Sequence, residues 1–461
     1  MYPISKRCPA ESLRRFSRRK LMATAIGMGA YSLPAFLQLR SSAAPGDLSS
    51  AKAKSCIIVY CWGGMSHLET WDPKPDAPAE VRGEFSPIST ATPGIYVGEH
   101  LPLLAQQTDK LAIIRSINHD DSAHGRGMYW NLTGHRPPRE GNIPPLPSDW
   151  PSLPAVVSKL RTLPRGVPGA VRVPYPMVDN KTLQAGEYGG WLGVKYDPII
   201  MRPSSGEPFG GVSRTLGAEV LELGDGDLAR IASRSDLLAA LERPVQRQEF
   251  ENFDHFQLLA KDILLGAAVR DAYNLDKEDP KVRQSYGNHL GGQSMLLARR
   301  LTEAGVPVVQ VCCAAGDLNG GAGDMWDTHS DNFNRLKNRL LPVLDRAVSA
   351  LLADLANRGS LEQTLVAILT DFGRTPKING SAGRDHYPSV YSVVLAGGGI
   401  RGGQIYGSSD GAGAFPKTQP CGPADVHATI FRALGISPRT EIHDMLGRPF
   451  PVSDGEVLRL F

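Results

Sequence analysis

The chain has 461 residues, with 50 Lys and Arg against 47 Asp and Glu and a formal net charge of +3. Much of the basic excess is N-terminal, so the remainder is close to neutral. No basic block with interleaved aromatics occurs, which excludes nucleic acid as a partner. Of six cysteines, Cys8 is N-terminal, and Cys56, Cys61, Cys312, Cys313 and Cys421 have no metal-ligand spacing and read as buried free thiols, not as a disulfide framework.

Arg14, Arg15, Arg18, Arg19 and Lys20 precede an apolar run, Leu21 to Leu37, broken by Gly27, Gly29 and Pro34. A charged segment followed by a weak apolar one is the order of an export signal. Ser17-Arg18-Arg19-Lys20-Leu21-Met22 resembles the twin-arginine consensus, and Ser42-Ala43-Ala44 supplies small residues for cleavage. Residues 1–44 are therefore expected to be a twin-arginine type signal peptide. An uncleaved anchor is the alternative, and it needs about 20 uninterrupted apolar residues. Export implies the periplasm or cell surface, with the twin-arginine machinery as a partner. No later apolar run reaches spanning length, so no membrane span is expected after cleavage.

Cleavage leaves roughly 410 residues, enough for one large domain over 50–461. Ser55 to Trp62 is a continuous apolar run ended by Gly63-Gly64, the pattern of a strand buried on both faces. A short helical stretch near His100 to Gln107 leads to a second strand, Leu111 to Ser116, and Gly125 to Leu132 reads as a helix stopped at Gly134. Pro137 to Gly226 is rich in Pro and Gly and reads as surface loops. Ser235 to Tyr273 and Gly291 to Ala304 are helical by period, Val306 to Cys313 is another strand, and Asn332 to Asn357 is a long amphipathic helix. Strands at Thr364 to Thr370 and Val390 to Leu395 and a helix at Ala424 to Leu434 complete the set. Alternating strands and helices predict an α/β fold, with a mostly parallel central sheet and helices on both faces.

In such a sheet, chemistry sits beyond the carboxyl ends of the strands. His67 and Asp72 follow the first strand; His119, Asp120, Asp121, Ser122 and His124 follow the second. Asp327 and His329 follow the Val306 strand, Asp371 follows the Thr364 strand, and Arg384, Asp385 and His386 precede the Val390 strand. Asp and His suit a borderline divalent metal, zinc first, with manganese, iron or calcium as alternatives. Asp327 and His329 are two apart, so they share a side only on extended backbone, in the loop before the Asn332 helix. An Asp or Ser capping that helix is the plainer reading of the same pair.

Several segments carry a family resemblance: GGMSHLETWDPKP from Gly63, SAHGRGMYWNLTGH from Ser122, WDTHSDNF from Trp326, TDFGRTP from Thr370 and GRDHYP from Gly383. With these the chain resembles the family catalogued as domain of unknown function 1501, related to the sulfatase and alkaline phosphatase superfamily. LTG at Leu132, LAGGGIRGG at Leu395 and ADVHATIFRALGI at Ala424 are similar to sulfatases at large. The resemblance implies an alkaline-phosphatase/sulfatase-like fold, with one metal held by Asp327, His329 and His386 and a second taken by Asp371. It also exposes departures. Phe372 stands where a second-metal ligand is expected, and Gly63-Gly64 where a metal-binding aspartate ends the first strand, leaving His67 and Asp72 as the candidates to substitute.

The sulfatase nucleophile position falls on His124, with Ser122 two residues earlier, and no formylglycine precursor is present. Three alternatives stay open: Ser122 is the nucleophile, His124 is a ligand or acid/base with water attacking, or hydrolysis has been lost. Arg126, Arg374 and Arg384 are candidates for an anionic substrate because a guanidinium fork matches sulfate or phosphate oxygens; surface ion pairs are the plainer reading. The expected function is an exported metal-dependent hydrolase of sulfate or phosphate esters, small or on a polysaccharide. A non-catalytic cell-envelope binding or structural protein on the same scaffold is the rival.

Overall fold

The apolar runs fold as strands of one eight-stranded sheet. In the computed structural model, which describes residues 52–141, 143–179, 182–200, 267–313 and 325–461, these are β1 (Ser55–Cys61), β2 (Leu111–Ile117), β3 (Val171–Val173), β4 (Ile199–Ile200), β5 (Val308–Cys312), β6 (Thr364–Thr370), β7 (Tyr391–Ala396) and β8 (Gln404–Tyr406). Their order is β8-β2-β7-β6-β1-β5-β3-β4. β7 alone is antiparallel to its neighbours, β6 and β2; every other pairing is parallel. The sheet is thus mostly parallel. Residues 1–44, expected to be a signal peptide, lie outside the described residues, as does most of the helical stretch expected from Ser235 to Tyr273.

β1 shows why the run is continuously apolar. Ile57, Val59 and Cys61 pack into one core with α3 (Leu290–Glu303) and α4 (Leu341–Asn357). Cys56, Ile58 and Tyr60 pack into a second core with α1 (His124–Thr133), α2 (Leu153–Leu160) and α5 (Pro423–Ala433). Alternate residues point to opposite faces, and helices cover both, so the strand is apolar on both sides over Cys56 to Cys61. The five cysteines from Cys56 to Cys421 are free and buried.

Two local departures from the sequence reading have physical causes. The stretch from Pro137 holds α2 and two sheet strands, β3 and β4, of three and two residues; elements this short carry no legible periodicity. The helical run from Asn332 is interrupted by a π turn, Leu336–Leu340. Pro342 lacks an N–H for the carbonyl four residues back and its ring crowds that carbonyl, and widening the turn relieves both.

Candidate metal centre

The site is assembled where two loops pair beyond the strand ends. The loop after β5 carries Asp327 and His329; the loop between β6 and β7 carries His386. Backbone bonds join them: Arg384 N–H to Thr328 O at 3.0 Å, Asp331 N–H to Ser381 O at 3.0 Å and Asn332 N–H to Ala382 O at 3.0 Å. The Asn379 side-chain amide donates to His329 O at 2.9 Å. The loops lie so close that a Cβ on Gly383 would sit 1.9 Å from His329 O, so only glycine fits there.

His124, in the first turn of α1, faces these loops from the other side. Among the described residues, His124, Asp327, His329 and His386 form a group whose ligand atoms all lie within 4.8 Å of one another. Each imidazole is held by its Nδ1. His124 Nδ1 bonds Asp371 Oδ2 at 2.5 Å, His329 Nδ1 bonds Asp385 Oδ1 at 2.8 Å, and His386 Nδ1 bonds the Ser122 carbonyl at 2.7 Å. Since all three partners are acceptors, each Nδ1 carries the hydrogen, and each Nε2 presents a lone pair when the ring is neutral.

Those three Nε2 atoms turn toward Asp327. His329 and His386 lie 3.1 and 3.2 Å from Oδ1, and His124 lies 3.3 Å from Oδ2. His124 Nε2 is buried, and Asp327 Oδ2 at 3.3 Å is a long, poorly aligned partner for it. His329 Nε2 and His386 Nε2 are 2.8 Å apart. Two lone pairs at that separation repel unless a proton or metal cation lies with them, so the donor set fits a divalent ion.

The electrostatics agree. Burial disfavours charge on Asp327, yet the bonds from His124 and His386 and the Arg374 charge outweigh it and hold the carboxyl far below the usual range. Burial likewise opposes charge on His124, but the hydrogen bonds to Asp327 and Asp371 raise it to about 9. His386 is pulled down by burial, with the His124 and Arg374 charges adding to the effect against Asp327. Without a metal, a proton on His124 supplies the positive charge that the two aspartates require.

Other sequence candidates fall elsewhere, and several are corrected. His67 and Asp72 do not join the group. His67 Nε2 donates to Gly413 O at 2.9 Å, and Asp72 takes Lys74 at 2.8 Å, Arg115 at 3.5 Å and the Ser409 hydroxyl. The chain turns back after Gly63-Gly64, so residues near a strand end in sequence point away from the site. Asp371 lies behind His124 instead of among the ligands. Arg374 and Arg384 are both fully buried, with internal partners. Arg374 donates to the carbonyls of Gly63, Gly64, Trp326 and Arg384 and to Asp327 Oδ1 at 2.6 Å. Arg384 holds Glu69 at 2.6 Å and the carbonyls of Val81, Thr375 and Pro376. Arg126 is buried and engaged by Asp121 at 2.5 Å and by Glu140.

Ser122 is exposed and joins the centre through its carbonyl. Sequence reasoning assigns Asp385 no role, although its place beside His386 is a signal that could suggest one.

A mostly parallel α/β sheet with three histidines and an aspartate converging beyond its strand ends defines an α/β protein with a candidate metal centre. The chain belongs to the family described as "Protein of unknown function (DUF1501)", matched over residues 53–460. No curated protein sequence matches it. Among solved structures it is similar to a phosphonate monoester hydrolase from Silicibacter pomeroyi (13% identity, TM-score 0.38, 88% of this chain and 76% of that one). It is also similar to a sulfatase from Pseudoalteromonas sp. (14% identity, TM-score 0.36, 84% of this chain and 69% of that one). Alkaline phosphatase from the Antarctic bacterium TAB5 is a third such structure (13% identity, TM-score 0.36, 84% of this chain and 99% of that one).

Proposed function

We propose that this chain is an exported metal-dependent hydrolase of sulfate or phosphate esters, with an ion held by Asp327, His124, His329 and His386. The observation that carries the reading is the convergence of four ligand atoms, one from each of these residues and all within 4.8 Å of one another, with each imidazole fixed from behind by an acceptor. Three nitrogens and one carboxylate favour zinc over the hard-oxygen ion calcium, with manganese or iron next. The group is not sealed: Asp327 keeps 32% and His329 45% of their side-chain surface exposed, leaving a side for water and an ester to enter.

A divalent ion here would supply Lewis-acid polarisation of an ester oxygen and a more acidic bound water or hydroxyl. The chain's own residues do the holding. Asp371, Asp385 and the Ser122 carbonyl fix the three ring orientations, and Arg374 fixes Asp327. Ser122, exposed on the loop that orients His386, is the side-chain nucleophile to test against water.

Metal analysis of purified, dialysed protein together with a panel of aryl sulfates, phosphate monoesters and diesters tests the reading. The expected result is bound zinc and turnover of at least one ester, abolished by chelator. A folded, metal-free protein that does not take up zinc would sink it. The rival, a non-catalytic envelope protein, draws support from Arg126, Arg374 and Arg384 all being engaged by internal partners; metal-loaded protein inert on every ester would favour it.

Export rests on Arg18-Arg19, and the twin-arginine route, which carries folded cargo, suits a site drawn from residues as distant as His124 and His386. Replacing Arg18 and Arg19 by lysine is expected to hold the protein in the cytoplasm, measured by cell fractionation. Undiminished arrival of the metal-bound variant outside the cytoplasm would contradict it.

A further inference from the structure

We infer that the centre is built for a single metal ion, on which Asp371 acts from outside through His124 while Phe372 and the Gly63 turn close the side where a second ion would lie. The inference rests on the metal reading above and deepens it. Asp371, directly after β6, is a sequence candidate for a second-metal ligand, yet its oxygens are already committed. Oδ1 accepts the Gly63 and Gly64 N–H groups at 3.0 and 2.7 Å and lies 3.3 Å from the Thr370 hydroxyl. Oδ2 accepts His124 Nδ1–H at 2.5 Å.

The residue's carbonyl is fixed as well, by His119 Nε2 at 2.7 Å and the Asn131 amide at 3.0 Å. Asp371 is fully buried. Swinging it onto an ion would strip two backbone N–H groups and His124 of their acceptor in the interior, where an unmet polar group is costly.

Neighbouring positions offer no other ligand. Phe372, also fully buried, stacks on His124 with centroids 5.0 Å apart and lies 4.6 Å from His386. It presents an apolar ring where a second ion would need a donor. Beyond β1 and Trp62, Gly63 and Gly64 offer no side chain, and the backbone of the ligand loop fills the space at Gly63: a Cβ there would lie 2.5 Å from Asp327 N and 2.9 Å from Trp326 N. Two-ion in-line displacement, with one cation on the attacking and one on the leaving oxygen, is closed to this arrangement. Asp371 is a positioning residue that sets the tautomer and angle of His124.

Calorimetric titration of chelator-treated full-length protein with zinc, and with cobalt(II) as a spectroscopic probe, tests this. The expected stoichiometry is one ion per chain. Asp371→Asn is expected to keep one ion per chain, with affinity lowered about 10- to 100-fold and the cobalt bands shifted by the reoriented imidazole. Phe372→Leu, which also brings no donor atom, is expected to keep one ion per chain. Two ions per chain in the wild type would overturn the inference while leaving the metal reading intact, and so would a folded Asp371→Asn protein with wild-type affinity or with no binding. No binding by the wild type would instead overturn the metal reading, and this inference with it. The wild-type stoichiometry decides between one ion and two even if a variant fails to fold.

Discussion

Asp327→Asn is expected to abolish stable metal binding and to destabilise the metal-free protein, because one carboxylate serves both ends of the site. Toward solvent, Asp327 is, among the described residues, the one carboxylate grouped with the three histidines; toward the interior, its Oδ1 accepts from the fully buried Arg374 at 2.6 Å. Asparagine keeps the shape and one acceptor, so the four carbonyls around Arg374 still hold the guanidinium and the fold survives. The charge does not survive, and breaking a buried ion pair from one side costs about 3–5 kcal/mol. Asp327 is part-exposed and Arg374 retains its carbonyl bonds, so the lower end applies, about 3 kcal/mol. Metal content after dialysis is expected to fall from one equivalent to a small fraction, and the chemical-denaturation midpoint to drop by an amount matching that energy. Full metal content with an unchanged midpoint would show that neither end of Asp327 does what its contacts imply.

The limits of the sequence are visible in the same residues. β1 and β6 are legible because helices on both faces keep their middle residues continuously apolar, while β3 and β4, at three and two residues, are too short to show a pattern. The Asp-x-His pair and the Gly-Arg-Asp-His run signal chemistry by residue type, and the structure brings Asp327, His329 and His386 together. Direction was not legible. His67 and Asp72 follow a strand end as Asp371 does, yet the turn at Gly63-Gly64 carries them to Gly413 and Ser409. Nor does local sequence mark which arginines are buried: Arg374 is fixed by carbonyls contributed from three separate segments. The Ser122 carbonyl that orients His386 is a backbone group, and any residue at that position would supply it.

Gly63→Ala is expected to be among the most damaging single-methyl changes in the chain, and a matched control separates its two causes. Gly63 has φ +112°, where an L side chain is strained, and an added Cβ would press on the backbone of Trp326 and Asp327 at 2.9 and 2.5 Å. Gly94, at φ +83°, shares the positive φ, but an added Cβ there would meet nothing within 4 Å. Gly94→Ala therefore reports backbone strain alone, about 1–2 kcal/mol. Gly63→Ala adds a clash with main chain, which cannot rotate aside as a flexible side chain can. The displacement also propagates: Gly63 N–H holds Asp371 Oδ1, and its carbonyl accepts from Arg374, which in turn holds Asp327. Both the acceptor behind His124 and the aspartate in front of it are thus tied to this one residue. The variant is expected to lose about 2–5 kcal/mol, strain plus the roughly 1–3 kcal/mol typical of overpacking, and to bind metal far more weakly than Gly94→Ala. Denaturation and metal titration of the two variants side by side check this, and equal losses in both would show that the Gly63 turn does not set the geometry of the centre.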